Sequence, residues 1–197
     1  MKVELNKVFP VAASANAAWI FLQDIKSVAS CMPGAEITEQ SDETHFKGMV
    51  KIKVGPAVAA FKGDIEVKGI DTEKKELILL GKGGDTRGTS SASMLLTASI
   101  RETADGQCEL VGQSEVTVNG KMASFGGRMM DSISQRILQQ FGDNFANNVI
   151  AMGEGSEAET AAAKVAEAPK ELNGLAIVWN LIADFFKKLF SRESKQS

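Results

Sequence analysis

A long stretch of helical periodicity, from Lys121 to Met152, constrains the fold more than any other feature of the sequence. Large apolar residues recur every three or four positions through it, which is the spacing of a helix with one buried face. These residues are Met122, Phe125, Met129, Met130, Ile133, Ile137, Leu138, Phe141, Phe145, Val149 and Ile150. A helix of about thirty residues is about 45 Å long, which exceeds the usual three turns. It therefore needs a partner surface of similar length.

Segments of alternating polarity before the helix predict that surface. Residues 2–9 alternate between apolar and polar side chains, and Pro10 ends the pattern. Further strands are predicted within 46–54, 59–67, 77–80, 96–100 and 108–118. Successive strands joined by short turns predict an antiparallel sheet. Residues 81–88 contain four glycines and are predicted to be a flexible loop.

Two short helices are predicted between the first strand and the rest of the sheet. Ser14 is a good N-cap for the first, and the second is predicted from Asp24 to Ala29. A turn follows at residues 31–35, because Pro33 fixes its backbone and Gly34 permits a reversal. The whole pattern predicts an α+β fold in which a curved antiparallel sheet surrounds the long C-terminal helix.

Small residues on the inward strand faces, such as Ala59, Gly63, Ala98 and Gly112, leave volume between sheet and helix. Either helix side chains fill this volume or a ligand occupies it, and the sequence leaves both interpretations open. In the second case the predicted ligand-binding residues come from the strands and the helix. They are Phe46, Val50, Phe61, Ile65, Leu96, Met129, Ile133, Ile137 and Phe141.

The composition changes sharply after Met152, so residues 1–152 are predicted to form one domain. Residues 153–171 are rich in Gly, Ser, Glu and Ala and predict a flexible linker, with at most a weak helical turn at 159–167. Residues 172–197 return to helical spacing and predict a separate amphipathic helix, too charged to span a membrane. Its apolar face with a basic end is typical of a membrane-surface helix, although docking on its own domain or on a partner is the alternative. The predicted membrane-binding residues are Trp179, Ile182, Phe185, Phe186, Lys187, Lys188, Leu189 and Phe190.

Composition argues against several functional classes. The net charge of −3 gives no basic excess, so a nucleic-acid partner is not expected. His45 is the single histidine, which leaves no His-rich metal site and one candidate for a catalytic triad. The two cysteines, Cys31 and Cys108, are expected to be reduced thiols in a cytosolic protein, and the N-terminus lacks the apolar region of a signal peptide. No metal, covalent cofactor or catalytic residue is predicted, so the chain is not expected to be an enzyme.

Several short motifs together resemble one family. They are Cys31-Met32-Pro33-Gly34-Ala35, Gly55-Pro56, Asn119-Gly120-Lys121 and Phe125-Gly126-Gly127-Arg128. Over about residues 1–150 the chain resembles the carbon monoxide dehydrogenase G-subunit family of the START-like (SRPBCC) superfamily. This resemblance implies a helix-grip fold with an apolar cavity. It also implies association with molybdenum-containing carbon monoxide dehydrogenases or related hydroxylases, their membrane recruitment, and electron transfer to the quinone pool.

Two functions follow as hypotheses from the residues and the resemblance. In the first, the domain is a non-catalytic carrier of a lipophilic molecule, a quinone above all, and links the dehydrogenase to the membrane quinone pool. In the second, it is a membrane-recruitment adaptor that carries no ligand; a small enzyme of the cyclase type is a more distant third. The expected partners are the dehydrogenase, a membrane surface, and a quinone or other lipid. The expected location is cytoplasmic, peripheral at the inner face of the cell membrane.

Overall fold

The computed structural model describes residues 1–54, 57–125, 127–153 and 156–167. Within these residues the chain forms one sheet of seven strands, a 3₁₀ turn and four α-helices. The elements are β1 (Lys2–Val11), α1 (Ala15–Gln23), α2 (Ile25–Cys31), β2 (Ala35–Gln40), β3 (His45–Val54), β4 (Ala57–Asp71), β5 (Glu76–Asp85), β6 (Ser90–Glu102), β7 (Cys108–Gly120), the 3₁₀ turn (Lys121–Phe125), α3 (Gly127–Ala151) and α4 (Ser156–Glu167). The predicted α+β helix-grip fold is confirmed.

The sheet is antiparallel throughout, in the order β1-β7-β6-β5-β4-β3-β2. Strands β2 to β7 form a meander, and β1 joins its far edge by pairing with β7, so that Lys2 lies opposite Thr117. The chain then turns through Lys121–Phe125 and returns as α3, which packs against α1, α2 and β1. The predicted continuous helix is therefore a 3₁₀ turn followed by an α-helix.

Capping side chains fix the residues at which the two short helices begin. The Ser14 hydroxyl accepts a hydrogen bond from the backbone N–H of Ala17 at the start of α1. Asp24 ends α1 and caps α2, since its carboxylate accepts the hydroxyl of Ser27 at 2.7 Å and the N–H groups of Lys26 and Ser27. These bonds, led by the Ser27 hydroxyl, lower the pKa of Asp24.

Aromatic rings join the second half of α3 to the core. The Phe145 ring is fully buried and meets the Phe21 ring of α1 edge-on, with centroids 5.2 Å apart. Phe141 meets Phe9 of β1 in the same way at 6.2 Å. Gly142 makes this contact possible, because a Cβ there would lie 2.2 Å from the Phe9 ring. Aromatic packing therefore joins α1, β1 and the C-terminal half of α3.

Several further segments differ from the sequence prediction, and β1 continues past Pro10 to Val11. Within the predicted linker 153–171, residues 156–167 form α4, which packs against α3 with Ala158 and Ala161 buried. Alanine provides no large apolar face, but it lets two helices approach closely, so a helix needs no bulky residue to pack there. Residues 81–85, predicted to belong to a loop, complete β5, and the sequence pattern does not predict β2. The predicted amphipathic helix 172–197 lies outside the described residues, and the proposed domain boundaries stay predictions.

Candidate functional site

A cavity of about 320 Å³ lies between the concave face of the sheet, the end of α2 and the 3₁₀ turn. Its lining is almost entirely apolar. The apolar residues around it are Ala29, Ala35, Ile37, Met49, Val50, Ile52, Phe61, Ile65, Ala92, Met94, Val116, Val118 and Met122. Its volume is at the lower end of the range for pockets that hold a small molecule, about 300–1,000 Å³.

A row of very small residues forms the floor of this cavity. The register places Gly48 opposite Gly63, Gly63 opposite Gly83, and Gly83 opposite Ala92. Across four neighbouring strands, therefore, nothing larger than a methyl group stands on the inward face. The cavity exists because side chains are missing from the sheet at this level.

The central glycines are also required by the backbone. A Cβ on Gly63 would lie 2.1 Å from the carbonyl oxygen of Lys82, and one on Gly83 would lie 2.8 Å from that of Lys62. Neither distance is compatible with a side chain, so β4 and β5 approach closely only because both positions are glycine. Gly81 is different, since a Cβ there meets nothing nearer than the Met94 methyl group at 3.8 Å.

Two asparagines of α3 hold the turn between α2 and β2 at one side of the cavity. Asn144 donates to the carbonyl oxygen of Cys31 at 2.9 Å, and Asn148 donates to its Sγ at 3.6 Å. Gly34 has a φ of +77° and accepts a hydrogen bond from the N–H of Lys51 at 2.9 Å. The turn that leads into β2 is therefore anchored to both α3 and β3.

Both thiols are buried and free, as expected of reduced cysteines. Burial raises the pKa of Cys31 to about 12, although the hydrogen bond from Asn148 acts in the opposite direction. Burial also raises the pKa of Cys108. A thiol that stays protonated is a poor nucleophile, so neither side chain is placed for covalent chemistry.

Three of the residues predicted to bind a ligand, Val50, Phe61 and Ile65, lie together on the cavity lining. Phe46 and Leu96 belong to the same inward face but lie among the core residues instead. That any of these side chains binds a ligand stays a prediction.

The helix residues predicted to bind a ligand lie elsewhere. Phe141 packs against Phe9 and Phe145, and Ile133 and Ile137 are half-buried on α3. Of the residues that the structure describes, none from α3 lines the cavity. The side chain of Met129 lies outside the described part.

Sequence reasoning missed several lining positions, among them Gly81, Gly83 and Met94. The glycine-rich segment around the first two predicts a loop instead. A usable signal was present, since Gly81 and Gly83 continue the i, i+2 spacing of the inward-facing Leu77 and Leu79. Following that spacing would have extended β5 and brought both glycines to the cavity.

The single histidine is not among the residues that line the cavity. His45 is exposed at the start of β3, with Nδ1 3.0 Å from Asp42 Oδ1 and Nε2 3.9 Å from Glu66 Oε1. Hydrogen bonds from the Thr44 backbone N–H, His45 and the Thr44 hydroxyl lower the pKa of Asp42. His45 is one residue from the core residue Phe46 and so lies on the outer face of the sheet. No group of three metal-ligating side chains occurs among the described residues.

The family model for the carbon monoxide dehydrogenase G subunit (CoxG) matches residues 8–150. The chain belongs to the CoxG family. The match covers the whole sheet except the start of β1, together with α1, α2 and nearly all of α3. The family takes its name from a component of carbon monoxide dehydrogenase, and this name implies an association with that enzyme. The comparison with curated proteins returned no match.

Solved structures with this fold include a conserved protein from Geobacillus kaustophilus. It has 19% identity and a TM-score of 0.67, and the alignment covers 75% of the present chain and 95% of the Geobacillus chain. The Zhui aromatase/cyclase from a Streptomyces species has 12% identity and a TM-score of 0.55, over 76% and 94%. A START superfamily protein from Mycobacterium smegmatis has 13% identity and a TM-score of 0.54, over 76% and 99%. At these identities the likeness shows the START-like fold alone. No helix in the described part of the chain is both long and apolar enough to cross a bilayer.

Proposed function

We propose that this CoxG-family protein is a non-catalytic carrier that binds a quinone and links a molybdenum-containing carbon monoxide dehydrogenase to the membrane quinone pool. The observation that supports it best is the apolar cavity above the row of Gly48, Gly63 and Gly83. A fold that only needed to be stable would fill this volume, because tight packing is the rule in protein interiors. Membrane contact is assigned to the predicted amphipathic helix at 172–197.

The size of the cavity suits a ring system better than a long chain. One water occupies about 30 Å³ of liquid, so about 320 Å³ corresponds to roughly ten waters, or a group of about a dozen heavy atoms. A quinone nucleus with one or two rings has this size, whereas a long prenyl chain would extend beyond it. Burial of apolar surface contributes about 25 cal/mol for each Å² removed from water.

The chemistry of the lining favours carriage over catalysis. Four charged residues border the cavity through their backbones, since they alternate with inward residues and their side chains are exposed: Glu36, Lys62, Asp64 and Lys82. An acid or base that acts in a reaction must reach the reacting atom. The described lining offers shielding from water and no such group.

The test uses two glycine substitutions on the inward face of the sheet. Gly81→Leu should fill the cavity without a clash, because only the Met94 methyl group is within 4 Å of the new Cβ. Gly112→Leu is the matched control, since its Cβ would meet only Leu96 at 3.9 Å and the residue does not line the cavity. We expect Gly81→Leu to weaken binding of a short-chain quinone at least tenfold in calorimetric titration, about 1.4 kcal/mol. The control should stay within about twofold of the natural chain.

Extraction of the purified full chain, followed by mass spectrometry, should identify a bound quinone. Unchanged quinone affinity in a Gly81→Leu protein that unfolds at its normal temperature would contradict a ligand at this cavity. A protein that holds no lipid, binds no quinone and still binds the dehydrogenase and vesicles would be the adaptor, and the carrier hypothesis would be wrong.

A further inference from the structure

The two ends of the sheet differ in charge. We call the end that holds the β5–β6 turn (86–89) and the start of the 3₁₀ turn the cavity end, because the cavity lies beside it. The opposite end, with the turns at 41–44, 72–75 and 103–107, is the distal end. These two ends follow from the meander, because successive turns between its strands lie at alternating ends of the sheet.

The cavity end carries more basic than acidic side chains, although the Glu36 carboxylate of β2 is exposed there too. Lys51, Lys62, Arg87 and Lys121 are all exposed there, and they come from four separate elements. Backbone bonds place these elements together, since the Thr86 N–H donates to the carbonyl of Ala60, the partner of Lys51, and the Lys121 N–H donates to Thr89. Among the described residues, none of the four basic side chains forms an ion pair.

The one carboxylate in the β5–β6 turn does not neutralise this charge through an ion pair. Asp85 accepts the N–H and the hydroxyl of Thr89, both at 2.6 Å, and is bound to the backbone of its own turn. Three of the basic residues adjoin cavity residues in sequence: Lys51 precedes Ile52, Lys62 follows Phe61, and Lys121 precedes Met122. Lys51 and Lys62 alternate with inward residues, so their side chains stand on the outer face of the sheet beside the cavity, whereas Arg87 and Lys121 lie at the end of the sheet.

The distal end is acidic. Its turns expose the carboxylates of Asp42, Glu43, Glu73, Glu102 and Asp105. Two of the basic residues there are already paired, Lys74 with Asp71 at 3.2 Å and Arg101 with Glu109 at 2.6 Å. An anionic surface would attract the cavity end and repel the distal end, which gives the domain a preferred orientation.

We infer that the cavity end is a docking surface for anionic lipid, separate from the predicted helix at 172–197. Charge complementarity supplies the attraction, and the exposed Val58 on β4, two residues from the partner of Lys51, supplies an apolar contact. Charges spread over four elements at one end of the domain fit a plane of lipid headgroups better than the compact epitope of an acidic protein. The inference rests on the proposed function at one point only, the assumption that a quinone enters the cavity.

The test is vesicle binding of the full chain. Lys51→Gln, Lys62→Gln and Lys121→Gln are combined in one variant, and Lys68→Gln, Lys74→Gln and Lys75→Gln form a control of equal charge away from the cavity end. One basic residue near an anionic membrane changes affinity about fivefold, so the first variant should bind phosphatidylserine-containing vesicles on the order of 100-fold more weakly. This loss should fade with added salt, because the Debye length is about 10 Å at 0.1 M.

Repeating the comparison with Phe185→Glu and Phe186→Glu in the background separates the tail from the domain. The cavity-end variant should still weaken binding there, and it should leave binding to pure phosphatidylcholine vesicles unchanged. Equal losses in the cavity-end and control variants would overturn the inference, as would no loss in either. Intact vesicle binding with lost dehydrogenase binding would overturn it in favour of an acidic protein surface. Quinone titration of the same variants in solution reports on the carrier function separately.

Discussion

The inward face of the sheet has two halves that share one backbone pattern and differ in what stands on it. In the half near β1, Phe9, Leu110 and Ile100 are buried in the core, and the Phe9 ring meets the Phe141 ring of α3. In the half near the β3–β4 hairpin, the corresponding row is Gly48, Gly63, Gly83 and Ala92. The alternation of the strands is the same in both. The comparison teaches that this fold makes a cavity by omitting side chains, while the packed half provides the stability.

The largest difference between the halves should appear when one ring is removed from each. Phe145→Ala in the packed half should cost about 3–5 kcal/mol of unfolding free energy, since Phe145 is fully buried. Phe61→Ala should cost less than about 1.5 kcal/mol, because Phe61 is half-buried beside an existing cavity. Urea unfolding measures both. Equal costs would mean that the cavity half is as tightly packed as the other.

The second way to sharpen the comparison is to add one methyl group to β4. Gly63→Ala should destabilise the protein by about 2–3 kcal/mol, because its Cβ would press on the backbone of β5. Gly69→Ala on the same strand should change stability by less than about 0.5 kcal/mol, since only the Ile78 methyl group, at 3.9 Å, is near. Thermal unfolding of the two variants measures this difference in stability. If Gly63→Ala were tolerated, the close approach of β4 and β5 would not depend on glycine.

Over the measured range up to pH 10, the smallest effect is a pH dependence from the buried Cys31. Its pKa is raised to about 12 by burial, whereas an unfolded thiol has a pKa of about 8.5. The folded state therefore keeps its proton when the unfolded state loses it. The stability contribution is complete below about pH 8.5, and it falls by about 1.4 kcal/mol for each pH unit from there towards 12.

Urea unfolding between pH 8 and 10 measures this slope, and the chain contains no tyrosine that would titrate nearby. In Cys31→Ala the slope should become shallower, although Cys108 keeps a part of it because burial raises its pKa too. An identical slope in the variant would show that the thiol of Cys31 ionises as easily in the folded protein as in the unfolded chain.

Local patterns were sufficient to predict most of the fold. The alternation in β1, β3 and β4 and the helical spacing of α3 each depend on residues close together in the chain. The strand β2 was missed because Glu36, Thr38 and Glu39 dominate it and Ile37 is its one large apolar residue. The helix α4 was missed because its buried residues are alanines.

The cavity could be predicted only in part. Val50, Phe61 and Ile65 followed from the strand faces, but the floor depends on the register of four strands. Nothing in a single strand shows that Gly48, Gly63 and Gly83 lie side by side. The helix residues Ile133 and Ile137 were predicted to line the cavity because their period was right, whereas the distance from α3 to the floor depends on tertiary packing.

The pairing of β1 with β7 also has a consequence during synthesis. Strand β1 is made first, yet Lys2 faces Thr117, whose segment follows more than a hundred residues later. At about 5–20 residues per second the ribosome needs roughly 5–20 s to deliver that partner. Strands β2 to β6 can meanwhile close as neighbouring hairpins, whose loops are short and fast to form. The emerging chain must therefore keep the backbone groups of β1 unpaired until its partner strand has left the exit tunnel.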